Sequence, residues 1–224
     1  MFSRIAGRYD LMNRLMTLGR DRSWRRATVQ AVAPTPGSRA LDLGCGTGDL
    51  ALELARSGPR LTVGLDPVPA MLVAAAAKVV AEAGIALVEG DGLRLPFDEA
   101  AFEVVVSGFV MRNLADLPAA LREQRRVLRP GGRIGILELT PLTLPVAAQL
   151  FRLYFHRIVP LVGGLVAGDR GAYSYLPASV DRFPSARRLA AMLVEAGFER
   201  VRYRRFMLGT VALHVAVRPT LPRP

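Results

Sequence analysis

Ala40-Leu41-Asp42-Leu43-Gly44-Cys45-Gly46-Thr47-Gly48-Asp49 is the stretch that decides the fold of this 224-residue chain. Residues 40–43, apolar but for Asp42, read as a short buried strand, and the alternate glycines after them read as a turn. A helix follows from Asp49 to Arg56, stopped by Gly58-Pro59. Strand, glycine turn and helix in that order form the first half of a parallel β-α-β unit.

Outward from this stretch the pattern repeats. Leu61–Leu65 reads as a second strand ending at Asp66, Pro69–Ala83 as a helix closed by Gly84, and Ile85–Val88 as a third strand. Phe102–Val106 reads as a fourth strand. Asp116 then caps a helix that carries Pro118 in its first turn, runs to Leu128 and ends at Pro130-Gly131-Gly132. Arg133–Leu139 is a fifth strand. Strands alternating with helices predict an α/β fold with a doubly wound, mostly parallel sheet. A helix from Ser185 to Ala196 and two strand-like runs, Arg200–Phe206 and Thr210–Val217, predict a C-terminal hairpin. The expected organisation is a single domain: a helical lid over 1–33, a cofactor-binding core over 38–140, a substrate-side insertion over 141–184, and the C-terminal helix and strands over 185–217.

Composition narrows the setting. Hydrophobic residues make up 51% and charged residues 22%, a balance that excludes a mainly disordered chain. The net charge of +11 sits at the two ends: +5 over residues 1–30 and +6 over 181–224, with a neutral middle. Such an excess points to nucleic acid, to an anionic membrane surface, or to solubility alone. Part of it reflects arginine-rich coding, since Lys78 stands alone against 29 arginines. The single cysteine, Cys45, permits no internal disulfide and suits a reducing compartment. Residues 1–10 lack the apolar run of a secretory signal. The greasy stretch Leu142–Ala167 is broken by Arg152, His156, Arg157, Pro160 and two glycines, so no spanning helix is expected. These readings place the chain in the cytoplasm, with peripheral membrane contact open.

The chemistry converges on the ends of the strands. A Gly44-x-Gly46-x-Gly48 turn lets a ligand approach bare backbone. Asp49 stands where the dinucleotide fingerprint has its third glycine, and a carboxylate there repels a pyrophosphate. Asp42 instead suits a cationic ligand, such as the amino and sulfonium groups of S-adenosyl-L-methionine. Asp66, 18 residues past Gly48, is placed to accept both ribose hydroxyls; Asp91-Gly92 is placed to meet an adenine edge, and Ser107-Gly108 to floor the site. No cluster of His and Cys has metal-ligand spacing, and no metal is expected.

With these residues in view, the sequence resembles the class I methyltransferases, and among them the ubiquinone/menaquinone biosynthesis C-methyltransferase family over nearly its whole length. The matching segments are Tyr9-Asp10-Leu11-Met12-Asn13 with Trp24-Arg25, the 41–49 stretch, Phe109-Val110-Met111-Arg112-Asn113-Leu114, Arg125 through Gly132, Tyr173-Ser174-Tyr175-Leu176 through Phe183-Pro184, and Val211-Ala212-Leu213-His214. The glycine turn marks only the superfamily; the Arg112-Asn113 pair, the Tyr173–Pro184 segment and the terminal Ala-Leu-His are narrower. The family often has Phe-Gly where this chain has Phe109-Val110, and a serine where it has Gly108 beside Ser107.

The resemblance implies S-adenosyl-L-methionine as cofactor, with Thr47, Asp66, Asp91 and Gly92 among its contacts. Tyr9 either covers the cofactor as part of the N-terminal lid or packs as a helix aromatic. It implies C-methylation of a prenylated quinol ring, either demethylmenaquinol or the methoxy-benzoquinol precursor of ubiquinone. Arg112 is expected to stabilise a phenolate and Asn113 to orient a hydroxyl, with His214 a further catalytic candidate. Leu150, Phe151, Tyr154, Phe155, Ile158 and Val159 fall at helical spacings that suit an amphipathic substrate mouth. A methyltransferase acting on another small molecule or on RNA, and an inactive prenyl-lipid scaffold, are the competing readings. Nucleic acid is not expected, because no RNA-binding module is recognisable. A homodimer remains open.

Overall fold

The computed structural model describes residues 13, 14, 16, 17, 19–142 and 178–220. The lid residue Tyr9, most of the 141–184 insertion with its apolar spacings, and the Tyr173–Leu176 motif lie outside the described residues.

Seven strands form one sheet: β1 (Arg39–Leu43), β2 (Leu61–Asp66), β3 (Ile85–Glu89), β4 (Phe102–Gly108), β5 (Leu128–Leu139), β6 (Glu199–Phe206) and β7 (Val211–Val217). Their order is β3-β2-β1-β4-β5-β7-β6. β1 to β5 run parallel, while β7 pairs antiparallel with both β5 and β6. The order reverses between β1 and β4, and that is where a doubly wound sheet opens a ligand crevice at the carboxyl ends of its strands.

Among the described residues, helices α1 (Asp21–Val32), α2 (Asp49–Ala55), α3 (Pro69–Val79), α4 (Leu117–Val127) and α5 (Ala186–Glu195) flank the sheet. Their starts follow local chemistry. Asp116 caps α4 by accepting from the Ala119 N–H at 2.9 Å, and Ser185 caps α5 by accepting from the Arg188 N–H at 3.3 Å. On one face Val29 and Val32 of α1 and Leu50 and Leu54 of α2 pack on Ala40, Val104 and Val106. On the other, Leu121 of α4 and Leu189 and Leu193 of α5 join Leu41, Leu43, Ile134 and Ile136. Each such side chain contributes roughly 1.5–3 kcal/mol on leaving water. Alternation along each strand makes this two-faced core possible, since successive side chains point to opposite faces.

Three boundaries differ from the sequence expectation. α3 stops at Val79 rather than Ala83, because the chain must turn through Gly84, with φ +80°, to feed β3. β5 begins at Leu128, not Arg133. Pro130-Gly131-Gly132 forms a register shift within the strand instead of ending a loop, held by Gly131 N–H to Arg218 O at 2.8 Å and Arg218 N–H to Gly132 O at 2.9 Å. Ser107 and Gly108 are the last residues of β4 rather than its successors.

Among the described residues β6 is an outer strand that pairs only with β7, and its Arg200, Arg202, Tyr203, Arg204 and Arg205 are exposed. On the α1 face, Trp24 packs on Phe109 and Phe206 with ring centroids 6.5 and 6.1 Å away. No described helix is long and apolar enough to cross a membrane.

Candidate active site

A cleft of about 210 Å³ opens at the carboxyl ends of β1, β2 and β4. Seven of the expected residues line it: Gly44, Gly46, Asp66, Asp91, Gly92, Gly108 and Asn113. Its apolar wall was not foreseen and is built by Leu43, Leu65, Val68, Met71, Phe109, Val110 and Leu114. The signal for part of it was present, since Val68 and Met71 follow Asp66 at spacings that return to the same end of the sheet.

The glycine turn is closed by backbone. The N–H groups of Gly44 and Cys45 both donate to Leu65 O, at 2.7 and 2.9 Å. Gly44 has φ +67°, and a Cβ there would sit 2.3 Å from Val110 Cγ2. Only glycine fits, and the bare backbone faces the cleft. Asp66, nearly buried, binds the turn from the next strand: its Oδ2 accepts from Gly46 N–H and its Oδ1 from Val68 N–H, both at 2.9 Å. Burial nevertheless holds its pKa above the usual carboxylate value. Each oxygen keeps a lone pair free for a further donor such as a diol. Asp91 is fixed by accepting from Leu93 N–H at 2.9 Å, which leaves its other oxygen at the cleft.

Other expected residues stand behind the wall, and the structure corrects their placement. Asp42 is 1% exposed and does not line the cleft, because alternation along β1 points it to the α1–α2 face. Among the described residues neither carboxyl oxygen has a well-aligned hydrogen-bond partner, although the Ala51 N–H lies close enough to draw its pKa down a little. Burial, only partly offset by Arg25, pushes its pKa up to about 8, so at neutral pH it is mostly a neutral acid and not the carboxylate expected to meet a cation. Thr47 is buried and takes a hydrogen bond from Lys78 Nζ at 3.1 Å. Gly48 packs its φ +85° backbone against Ala75 and Val79, and Ser107 is wholly buried. Cys45 is buried too, and burial drives its thiol far above the ordinary range, which keeps it protonated and inert.

A raised acid pKa costs stability wherever the unfolded chain can lose a proton that the native state keeps, so its contribution is greatest where both states are protonated. For Asp42 that contribution is complete below about pH 4 and drains away as pH rises toward 8. Asp42→Asn, which has no proton to lose, should gain on the wild type in urea midpoint between pH 5 and pH 8.5. A constant difference across that range would show that Asp42 does not titrate there.

Arg112 and Asn113 sit in a 3₁₀ turn, Met111–Asn113, just past β4. Asn113 lines the cleft, and its buried Oδ1 has no partner among the described residues. Arg112 does not line it. Its Nη1 donates to Glu138 Oε1 at 2.6 Å and to Phe109 O, and its backbone N–H to Glu138 Oε2 at 3.3 Å. Glu138 is wholly buried in β5 and also accepts from Leu139 N–H at 2.8 Å. Among the described residues Arg112 thus ties the turn that presents Asn113 to β5, and its Nη1 is held by Glu138 and Phe109 rather than facing the cleft. Phe109, at φ +61°, makes the bend into that turn, tied by its N–H to Leu137 O at 2.8 Å.

His214 is corrected as well. It pairs with Ile136 in β7, two strands from Ser107, and points to the α5 face. There its Nε2 lies 2.8 Å from Ala186 O and its ring stacks on Tyr203 at 5.3 Å. Burial lowers its pKa against the pull of Ala186 O. Protonation thus opposes folding, and stability falls as pH drops below about 6.5. His214→Phe should keep turnover within threefold of wild type and remove part of that acid loss in thermal melts. A hundredfold fall in turnover would restore His214 to the chemistry.

The donor set fits S-adenosyl-L-methionine: a glycine cradle that a Cβ would fill, a strand-end carboxylate with free lone pairs, and an apolar slot between Val68, Met71 and Leu114. Comparison with known proteins agrees. The model of the ubiE/COQ5 methyltransferase family matches residues 1–218. The demethylmenaquinone methyltransferase of Thermus thermophilus is 46% identical over 221 residues, covering 98% of this chain and 100% of that protein. The ubiquinone/menaquinone biosynthesis C-methyltransferase UbiE of Paracoccus denitrificans is 41% identical over 221 residues, covering 96% of this chain and 87% of its own length. Among solved structures, a putative methyltransferase in complex with the Haloferax volcanii Trm112 activator superposes with a TM-score of 0.72 at 19% identity, covering 98% of both chains, which bears on the fold alone. The chain therefore belongs to the ubiE/COQ5 methyltransferase family and is an S-adenosylmethionine-dependent methyltransferase.

Proposed function

We propose that this enzyme methylates a ring carbon of a prenylated quinol, with demethylmenaquinol as the preferred acceptor. The observation that carries the reading is Asn113. Its side-chain oxygen is buried, has no partner among the described residues, and lines a wall otherwise made of Phe109, Val110 and Leu114. That is a seat for a flat apolar ring with one hydroxyl to satisfy. The preference for the menaquinone nucleus rests on the 46% identical relative named for that substrate over its full length.

S-adenosylmethionine, when bound, supplies an electrophilic methyl group. Gly44, Gly46, Asp66, Asp91, Gly92 and Gly108 are the residues placed to hold it. The chain's own task is then to aim the acceptor and raise its electron density. Asn113 Oδ1, by accepting a hydrogen bond from the ring hydroxyl, moves density toward the ring carbon, where a free phenol of pKa about 10 reacts slowly. The proton displaced from that carbon on methylation leaves to solvent, since an amide oxygen cannot hold it. Glu138 and Arg112 keep that oxygen in place, and the apolar wall excludes water from the methyl donor.

The prenyl tail sets where this happens. Each five-carbon unit favours the bilayer by about 4 kcal/mol, at roughly 0.8 per carbon, so the substrate does not leave the membrane unaided. We place the enzyme in the cytoplasm, working peripherally at the inner membrane face.

The test is methyl transfer from labelled cofactor to demethylmenaquinol and to the ubiquinone precursor, side by side. The expected result is at least a tenfold higher kcat/KM for demethylmenaquinol. No transfer to either, from protein that still binds cofactor, would overturn the quinol assignment.

A further inference from the structure

The turn Met207–Gly209 joins β6 to β7, and the pairing of Leu139 with Val211 and of Val211 with Phe206 puts it at the carboxyl edge of the sheet. The cleft opens on that same edge. Leu208, at the tip, is 81% exposed, while Met207 beside it packs on the Trp24 cluster. We infer that this turn is where the enzyme docks on an anionic bilayer, with Leu208 entering the interface and Arg204 and Arg205 meeting headgroup phosphates. The inference rests on the quinol reading, which requires a cleft that faces lipid, and it names the surface that does so.

Leu208 is held out in a strained backbone. Met207 and Leu208 stand side by side in the left-handed region, at φ 44° and 55°, which disfavours residues with a side chain. The chain around them imposes it. Thr140 N–H donates to Thr210 O at 2.9 Å and Thr140 Oγ1 to Gly209 O at 2.8 Å. The Thr210 N–H and Oγ1 both donate to Met207 O at 3.0 Å. Asparagine or glycine takes such a backbone more readily than leucine, so the leucine serves a contact outside the fold.

Its surroundings identify that contact. Arg205 and Arg204 are exposed three and four residues behind the tip, within roughly 10–13 Å at about 3.3 Å per residue, near the depth to which interfacial side chains sink. Their guanidinium groups lie over rings, Arg204 at 5.0 Å from Phe206 and Arg205 at 5.6 Å from Tyr203. An apolar tip with arginines behind it matches the boundary between acyl chains and anionic headgroups. A protein partner needs about 800 Å² on each side, far more than one leucine offers, whereas a bilayer accepts a single side chain. A second copy would set its own arginines against these. Phe206, at the foot of the turn, packs on Trp24, and Trp24 packs on the cleft-wall residue Phe109, so the docking point stands close to the ring seat.

The test measures co-sedimentation of the full chain with vesicles of phosphatidylglycerol and phosphatidylcholine, against phosphatidylcholine alone. Leu208→Asn removes the apolar tip and suits the left-handed backbone, so the turn is kept. Arg204→Gln/Arg205→Gln removes the charge behind it. Val80→Asn, at a residue 83% exposed just past α3, is the control for the tip. Arg122→Gln/Arg187→Gln, at exposed positions on α4 and α5, is the control for the charge. Methyl transfer to demethylmenaquinol is read twice, in vesicles and dispersed in detergent.

Leu208→Asn should lower partitioning onto anionic vesicles by about tenfold, the effect of withdrawing one leucine from the interface. The arginine pair should lose about as much there, and both controls should stay within about twofold of wild type. Transfer in vesicles should fall in step with partitioning, while transfer in detergent holds. Wild type that ignores anionic vesicles, or a Leu208 variant that partitions as wild type does, would overturn the docking point. So would a lipid-free dimer that Leu208→Asn dissociates, which would give the tip to a second copy. Absence of transfer in detergent is a different failure, that of the quinol reading, because partitioning is measured without substrate.

Discussion

Gly44→Ala should lower affinity for S-adenosylmethionine by at least a hundredfold and lower stability with it. Two costs add. A side chain at φ +67° is strained by roughly 1–2 kcal/mol. Its Cβ would lie 2.3 Å from Val110 Cγ2 and 2.7 Å from Val110 Cβ, an overlap that forces backbone movement at about 1–3 kcal/mol. A total near 3 kcal/mol converts to about two decades, at roughly 1.4 kcal/mol per decade. The movement falls on the turn that cradles the ligand, so binding loses more than folding does. Gly48→Ala sets the scale, because its Cβ would meet Ala75 only at 3.2 Å, where a few tenths of an ångström suffice. Calorimetric titration of the cofactor against both variants, with urea melts alongside, separates the two effects. Binding by the Gly44 variant within threefold of wild type would show that the turn is not the cradle.

The second large effect concerns a pair that never touches the cleft. Glu138→Ala should destabilise the protein by about 3–5 kcal/mol, the cost of stranding a buried charge. Arg112 would keep its side chain 7% exposed with its carboxylate partner gone. The turn would also lose the bond from the Arg112 N–H, so Asn113 would drift and turnover would fall while cofactor affinity holds. Adding Arg112→Met removes the stranded charge. The double variant should therefore be more stable than Glu138→Ala alone, with a coupling of about 2–3 kcal/mol in a double-mutant cycle. Additive losses would mean that the ion pair does not form in solution.

Much of the site was legible because the fold puts it in one place. Once β1, β2 and β4 are read as parallel neighbours, Gly44, Asp66 and Gly108 must share an edge, and sequence spacing is enough to name them. What sequence could not give is the face. Asp42 and His214 carry the right chemistry at the right height, but alternation turns one toward α2 and the other toward α5. Glu138 escaped notice for a different reason. It lies 26 residues from Arg112, and only the pairing of Gly108 with Leu137 across β4 and β5 brings the two together. Partnerships made across strands depend on register, which no local pattern displays.

The outer strand β6 has a consequence for the molecule among its own copies. A border strand offers a row of unpaired N–H and C=O groups, the template from which one sheet grows into the next. Here that border carries Arg200, Arg202, Arg204 and Arg205, all exposed. A second copy approaching edge to edge would bring eight guanidinium groups into one seam. Their repulsion reaches about 8–10 Å at cellular salt and shrinks to about 3 Å near 1 M. Among the described residues the basic outer strand thus stands as a fence against edge-to-edge pairing, and concentrated salt is the condition under which that fence comes down.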